Sequence, residues 1–174
     1  MNEPVQMGQS AAGHGIVILA PFDSVEDPSK PTVAELSASG NIRITYGLMR
    51  DGFRHEPTIN KVTVGRYTMA QDLSYEGTIT ESLTMKYPYN RQTPTEAELA
   101  LGEKGVDYYV FQLLGYPNDH EITAGDKINT VTPIRTATSV DVPDESNDSN
   151  SELQKQMVPD IIGQVLREVE VVSA

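Results

Sequence analysis

The sequence contains no cysteine and no tryptophan among its 174 residues. Without cysteine, the chain forms neither a disulfide framework nor a cysteine-ligated zinc site, and the redox compartment cannot be read from it. Aromatic residues make up only 6%, fewer than the sugar-binding cleft of a carboxylate-based glycosidase normally has, so the composition disfavours that enzyme class without ruling it out. No apolar run approaches the ~20 residues of a membrane helix, and no signal-peptide pattern is visible. We therefore expect folding in a cytoplasm and no membrane partner.

Basic residues are also scarce. The chain has 13 Lys and Arg residues against 25 Asp and Glu residues, a formal net charge of −12. Tight binding to nucleic acid requires clustered Lys and Arg, so the composition argues against it. An acidic wall repels DNA and suits a surface that DNA slides past without sticking. The more common role of such a charge, which is simply solubility, fits the composition as well.

No motif for catalysis, metal binding or cofactor binding is present. The three histidines, His14, His55 and His120, lie in loop-like segments and lack metal-ligand spacing to one another. The densest group of potential ligands is 119–121, an Asp-His-Glu run, but adjacent residues on an extended chain do not converge on one ion. No nucleophile elbow or kinase-type loop occurs. The sequence predicts neither an enzyme nor a cofactor.

The hydrophobic pattern predicts a mainly β protein. Asp107–Leu114 is a short apolar run typical of a buried central strand. Ile79–Tyr89 alternates between apolar and polar positions, with Glu81 interrupting the apolar face. Every even position from 128 to 142 is β-branched, so Lys127–Val142 predicts one long strand. A final strand is predicted over Gln164–Val172.

Helical signals are few and short. Thr32 and Glu35 fit a capping box and predict one helical turn. A second box begins at Thr93, with proline in the first helical position, and predicts a helix of about two turns. Gly102 would end that helix in the left-handed conformation. The predicted fold is therefore a β-sandwich or partial barrel with one short α-helix.

Two extended arms complete the prediction. Residues 1–30 are irregular and read as an N-terminal arm, leaving 31–174 as the β domain. Within that domain, the strands of about 127–172 are too long for a small core, and we expect them to form a long β arm that reaches another copy. Residues 47–60, with an Asp-Gly and a Glu-Pro pair, predict a loop.

Several short segments of common residues follow one another in a characteristic order and spacing across residues 31–174. The segments are 31–36 (PTVAEL), 51–53 (DGF), 107–111 (DYYVF), 124–128 (AGDKI), 153–155 (LQK), 162–165 (IGQV) and 169–171 (VEV). Through their order and spacing the chain resembles the major tail protein, or tail tube protein, of long-tailed bacteriophages, particularly those of actinobacterial hosts.

The resemblance implies a structural virion protein of the tail, assembled in the host bacterial cytoplasm. Six copies would form a ring, and stacked rings would form the channel for DNA ejection. Its partners would be other copies of itself, the tape measure, terminator and distal tail proteins, and phage DNA that passes without specific binding. Such proteins have no catalytic residues to carry over.

Two sets of acidic residues are candidates for roles in such an assembly. Glu81, Asp141 and Glu170 lie on predicted strands in apolar or small-residue surroundings, and we expect them to face the channel lumen. The acidic segment that carries Asp144, Glu145, Asp148 and Glu152 is the candidate inter-subunit loop. Two other interpretations stay open: a tail terminator or head–tail connector subunit, and a non-viral β-sandwich binding module.

Overall fold

The computed structural model describes residues 3–142 and 149–174, in which ten strands and two α-helices form. In chain order they are β1 (Gly15–Pro21), α1 (Val33–Leu36), β2 (Ile42–Arg43), β3 (Phe53–Val64), β4 (Leu73–Pro88), α2 (Glu96–Leu101), β5 (Asp107–Leu114), β6 (Lys127–Arg135), β7 (Ser139–Asp141), β8 (Gln154–Met157), β9 (Asp160–Ile161) and β10 (Leu166–Glu170). The mainly β fold is confirmed. Within the described ranges, no helix has the length and apolar character needed to cross a bilayer.

Two antiparallel sheets make up the fold. The first has the order β10-β6-β5-β1-β2, with β9 also paired to β6. The second has the order β3-β4-β8-β7. The predicted central strand Asp107–Leu114 is confirmed, since β5 has these bounds and lies between β1 and β6.

The first sheet is buried on both faces. In β1, Ile16 and Ile18 pack into one hydrophobic cluster, while Val17 and Leu19 pack into a second. The first cluster is completed by α1 and by the C-terminal strand. The second lies between the sheets and includes one face of α2. Because a strand buried on both faces is a continuous apolar run rather than an alternating one, residues 16–20 show no period of two.

The predicted N-terminal arm of residues 1–30 includes a strand that belongs to the body of the protein. This strand is β1, which pairs with both β2 and β5 in the first sheet. Residues 3–13 are exposed, and the Gln9 side-chain amide donates to the Gly115 carbonyl at 2.9 Å. The physical reason is the apolar run of β1, which loses contact with water only inside the fold.

The helices form where their caps predict, with one shift. Both halves of the first capping box are present, with Glu35 N donating to Thr32 Oγ1 at 3.1 Å and Thr32 N donating to Glu35 Oε2 at 2.8 Å. The prediction of Thr93 as the second cap is wrong, because Thr95 caps α2. Gly102 is also not left-handed, since its φ is −76° and its N–H continues the helical pattern.

The predicted strand Lys127–Val142 is divided, and this prediction is wrong. β6 ends at Arg135, and β7 belongs to the second sheet. The chain passes from the first sheet to the second just after β6, and Thr136 fixes its backbone there. The Thr136 N–H donates to the Val106 carbonyl at 2.9 Å, and its hydroxyl donates to the Glu103 carbonyl at 2.6 Å. Strands β6 and β10 therefore pair with each other in the first sheet instead of forming a free arm.

The predicted loop 47–60 is also wrong from Phe53 onwards, where β3 begins. Pro57 lies within this strand, opposite Glu81. Proline is tolerated there because β3 is the edge strand of its sheet and needs no second hydrogen-bonding neighbour. The long β extension of this protein is consequently the β3–β4 hairpin.

Candidate assembly surface

The β3–β4 hairpin projects from the body of the protein. Its strands pair from Phe53 opposite Met85 to Val64 opposite Leu73. Nearly every residue from 56 to 80 is exposed, whereas Leu83, Met85 and Tyr87 are buried in the cluster between the sheets. The nine strand residues 56–64, at ~3.3 Å each, carry the hairpin roughly 30 Å beyond this buried root.

The exposed part of the hairpin carries many large apolar side chains. They are Ile59, Val62, Tyr67, Met69, Leu73, Tyr75 and Ile79. Tyr67, in the turn, is fully exposed. Single apolar residues scattered over a surface are ordinary, but many of them on one projecting element are typical of a protein–protein contact. Between a third and all of each side chain is exposed in the described structure, so the group is the leading candidate for an assembly surface.

A β-bulge distributes these side chains over both faces of the hairpin. Ile59 lies opposite Ile79, but beyond this pair the register shifts by one residue, so that Val62 lies opposite Tyr75. Because successive side chains of a strand point to opposite faces, the isoleucine pair and the Val62–Tyr75 pair face in opposite directions. Either face of the hairpin can therefore contact a neighbour.

The backbone edges of the hairpin are open as well. β3 is the outer strand of the second sheet. β4 pairs with β8 only from Met85 to Pro88, so in the described structure its residues 73–84 have β3 as their single strand neighbour. Unpaired N–H and C=O groups on both sides of a two-stranded ribbon are a template for another chain.

The hairpin is electrically balanced, unlike the rest of the chain. Residues 53–88 contain four Lys and Arg residues and four Asp and Glu residues, so the whole net charge of −12 lies outside them. Copies of a strongly acidic protein repel one another. The hairpin is therefore a surface that can approach another copy with little electrostatic cost.

An ionic group with a mostly buried carboxylate lies at the root of the hairpin. The Glu81 carboxylate accepts from His55 Nε2 at 2.7 Å through one oxygen and from the Arg167 guanidinium through the other. Burial acts to raise the pKa of Glu81, but the hydrogen bonds and charges of Arg167 and His55 outweigh it and hold that pKa below its ordinary value. Glu81 therefore stays ionised inside the fold.

The three acidic residues expected to face a lumen have different surroundings. Glu81 is only 11% exposed at its side chain and is paired, which argues against a lumenal charge. Asp141 and Glu170 are exposed, but each lies directly opposite a lysine on the neighbouring strand, Lys155 and Lys127 respectively. Glu170 accepts from the Lys127 ammonium group at 2.5 Å. Sequence spacing could not reveal these partners, because they come from distant segments.

The candidate inter-subunit loop is only partly within the described structure. Asp144, Glu145 and Asp148 lie outside the described residues, so the prediction for them stays a prediction. Glu152 is exposed, beside a cleft that Tyr89 and Arg91 help to line.

The polar run at 119–121 has a structural role. His120 Nε2 lies 2.8 Å from Asp126 Oδ2, and the His120 ring stacks on Tyr116 with centroids 4.8 Å apart. Burial acts to raise the pKa of Asp126, but hydrogen bonds from the Thr123 backbone N–H, His120 and the Thr123 hydroxyl hold it below its ordinary value. No cluster of His, Asp and Glu in the described ranges has the arrangement of a metal site.

The chain is similar to known proteins in sequence and in fold. The family model described as phage tail tube protein matches residues 4–171, including most of the segment that the sequence alone left outside the resemblance. A chain from the cryo-EM structure of the anti-feeding prophage (AFP) baseplate, 6-fold symmetrised, aligns with a TM-score of 0.51 and 13% identity. The alignment covers 92% of this chain and 98% of that chain, and at this identity the likeness concerns the fold alone. No curated protein matches the sequence.

Proposed function

Because this chain belongs to the phage tail tube protein family, and is therefore a structural component of the virion tail, we propose that it is the repeating subunit of the tube. Six copies form a ring, and stacked rings form the channel through which phage DNA is ejected into the host. The similar baseplate structure is 6-fold symmetrised, which supports six as the ring number. The actinobacterial host class stays a prediction.

The observation that carries this proposal is the β3–β4 hairpin, which is exposed, apolar and free at both backbone edges. A tube subunit must contact copies of itself on two sides, and heterologous contacts of this kind close into a ring when the rotation is right. Adding the hairpin of one copy to the sheet of the next would remove the open edges by closure. The contacts between copies would bury the apolar side chains on both of its faces.

The net charge supports the proposed passage of DNA. Phosphates are repelled by an acidic wall, so DNA would move through the lumen without specific binding. Asp141 and Glu170 stay our candidates for lumen-facing acids, although their lysine neighbours reduce the local field. The segment with Asp144, Glu145, Asp148 and Glu152 stays our candidate for contact between subunits or rings. Tape measure, terminator and distal tail proteins are the proposed further partners, and we propose no catalytic role.

The test is negative-stain electron microscopy of the purified protein over a range of concentrations, with light scattering on the same samples. Hollow tubes built of stacked rings are the expected result. Single closed rings that never stack would favour a tail terminator or head–tail connector subunit. A monomer at every concentration, even with an initiating tail-tip complex added, would contradict the proposal and favour a binding module. A reconstruction of the tubes would also locate Asp141 and Glu170 relative to the lumen.

A further inference from the structure

The ionic group at the root of the hairpin connects three strands. His55 lies on β3, Glu81 on β4 and Arg167 on β10. Among the ion pairs of the described residues, the Arg167–Glu81 pair alone joins the first sheet to the second. The His55 and Glu81 side chains are 6% and 11% exposed, so solvent screens their interaction only weakly.

The His55–Glu81–Arg167 group lies at the point where the hairpin projects from the two packed sheets. On the inward face of β4, Leu83 and Met85 are buried, the Glu81 side chain is mostly buried, and the next residue on that face, Ile79, is exposed. Beyond Glu81 the hairpin is a two-stranded ribbon, a structure that twists and has little stability by itself. The direction of such a ribbon depends on what holds its root.

The backbone beside Arg167 provides an independent observation. Glu168 has a φ of 52°, the one positive φ at a non-glycine residue in the described part of the chain. The left-handed conformation is unfavourable for an L-residue, and it persists only where the surrounding structure stabilises it. The ion pair between the adjacent Arg167 and Glu81 is a contact that can do so.

We propose that the His55–Glu81–Arg167 group is a strut that fixes the angle at which the hairpin projects, and that Arg167 is a positioning residue for assembly. This inference rests on the proposed function, because its consequence is faster and tighter association of copies. A hairpin held in its bound direction loses less conformational freedom on association than a swinging one. The strut contributes to assembly without contacting the neighbouring copy.

The absence of cysteine makes the test direct. Spin labels are attached through Thr63→Cys on the hairpin and Leu99→Cys on α2, both exposed positions. The distance distribution between the labels is measured by pulsed electron paramagnetic resonance at concentrations below assembly. We expect a narrow distribution in the native background and a broad one with Arg167→Gln. The concentration needed for assembly should rise on the order of tenfold.

Two further variants keep the test decisive. Arg167→Gln alone leaves a partly buried carboxylate without its cation, so the double variant Glu81→Gln, Arg167→Gln removes both charges and should broaden the distribution in the same way. The matched control is Arg135→Gln, which removes an exposed ion pair with Asp107 inside the first sheet and should leave the distribution narrow. An unchanged distribution in the folded double variant would overturn the strut, whether or not tubes form. A native protein that never assembles would instead count against the proposed function.

Discussion

Replacing Ile59 and Ile79 together with serine should raise the concentration needed for assembly by about 30-fold. The two side chains lie opposite each other on the hairpin and are 48% and 44% exposed. Full burial of an isoleucine side chain stabilises by about 1.5–3 kcal/mol, so burying the exposed half of each gives about 1 kcal/mol. The pair then contributes about 2 kcal/mol per subunit, and each 1.4 kcal/mol is about tenfold in an association constant.

The assay is sedimentation of assembled protein over a series of total concentrations, with the urea midpoint of the unassembled subunit measured in parallel. The urea midpoint should change little, because Ile59 and Ile79 lie outside both hydrophobic clusters and a cross-strand pair contributes only about 0.2–1 kcal/mol. Leu99→Ser is the matched control, since Leu99 is 64% exposed but lies on α2, away from the hairpin. If the double serine variant assembles at the native concentration, the hairpin is not buried between copies and the reasoning fails.

Three predictions concern the subunit itself. Thr95→Ala should lower the free energy of unfolding by about 1 kcal/mol, because the Thr95 hydroxyl caps α2 by accepting from Glu98 N; urea unfolding measures this, and Thr95→Ser should behave as native. Gly52→Ala should destabilise by about 1–3 kcal/mol, because a Cβ there would lie 2.4 Å from the Lys86 carbonyl oxygen; an unchanged thermal midpoint would contradict that contact. The lowered pKa of Asp126 means that its ionised form stabilises the fold above the ordinary value of 3.8 and that this stability is lost as pH falls through the lower folded-state pKa. Urea midpoints measured from pH 6 down to about pH 3 should fall more steeply for the native protein than for Asp126→Asn, and equal slopes would refute the assignment.

Local patterns predicted the parts of the fold that depend on neighbouring residues. The strand Asp107–Leu114 and the cap at Thr32 were accessible because a short apolar run and a hydroxyl three residues before a glutamate act within a few residues. The second helix was predicted too, but with its cap at Thr93 instead of Thr95, because both threonines stand three residues before a glutamate. The end of the predicted long strand at Arg135 could not be predicted from local patterns, because Thr136 is held by the carbonyls of Val106 and Glu103, which are distant in sequence. An uninterrupted β-branched pattern does not reveal a change of sheet.

The hairpin was missed for a related reason. Its first strand contains Pro57 and polar residues, which locally favour a loop, and its apolar residues change face at the bulge near Gly77. The available signal was the apolar residues within Ile59–Val64 and within Leu73–Ile79, whose paired positions are nine to twenty residues apart, with the turn 65–72 between them. Edge strands of a projecting ribbon have no buried face, so they lack the strong period of two that marks strands in a core.

The sequence by itself determined that the protein is mainly β, acidic, free of disulfides and similar to tail tube proteins, because composition and short-range pattern decide these properties. Only the tertiary structure decided which segment projects from the body of the protein and which acidic side chains are exposed to solvent. It buries Glu81 against His55 and Arg167, and it joins β6 and β10 in one sheet while leaving β3 and β4 to project. These outcomes depend on which distant segments pair, and the free energy of the whole chain, rather than that of any one segment, decides that choice.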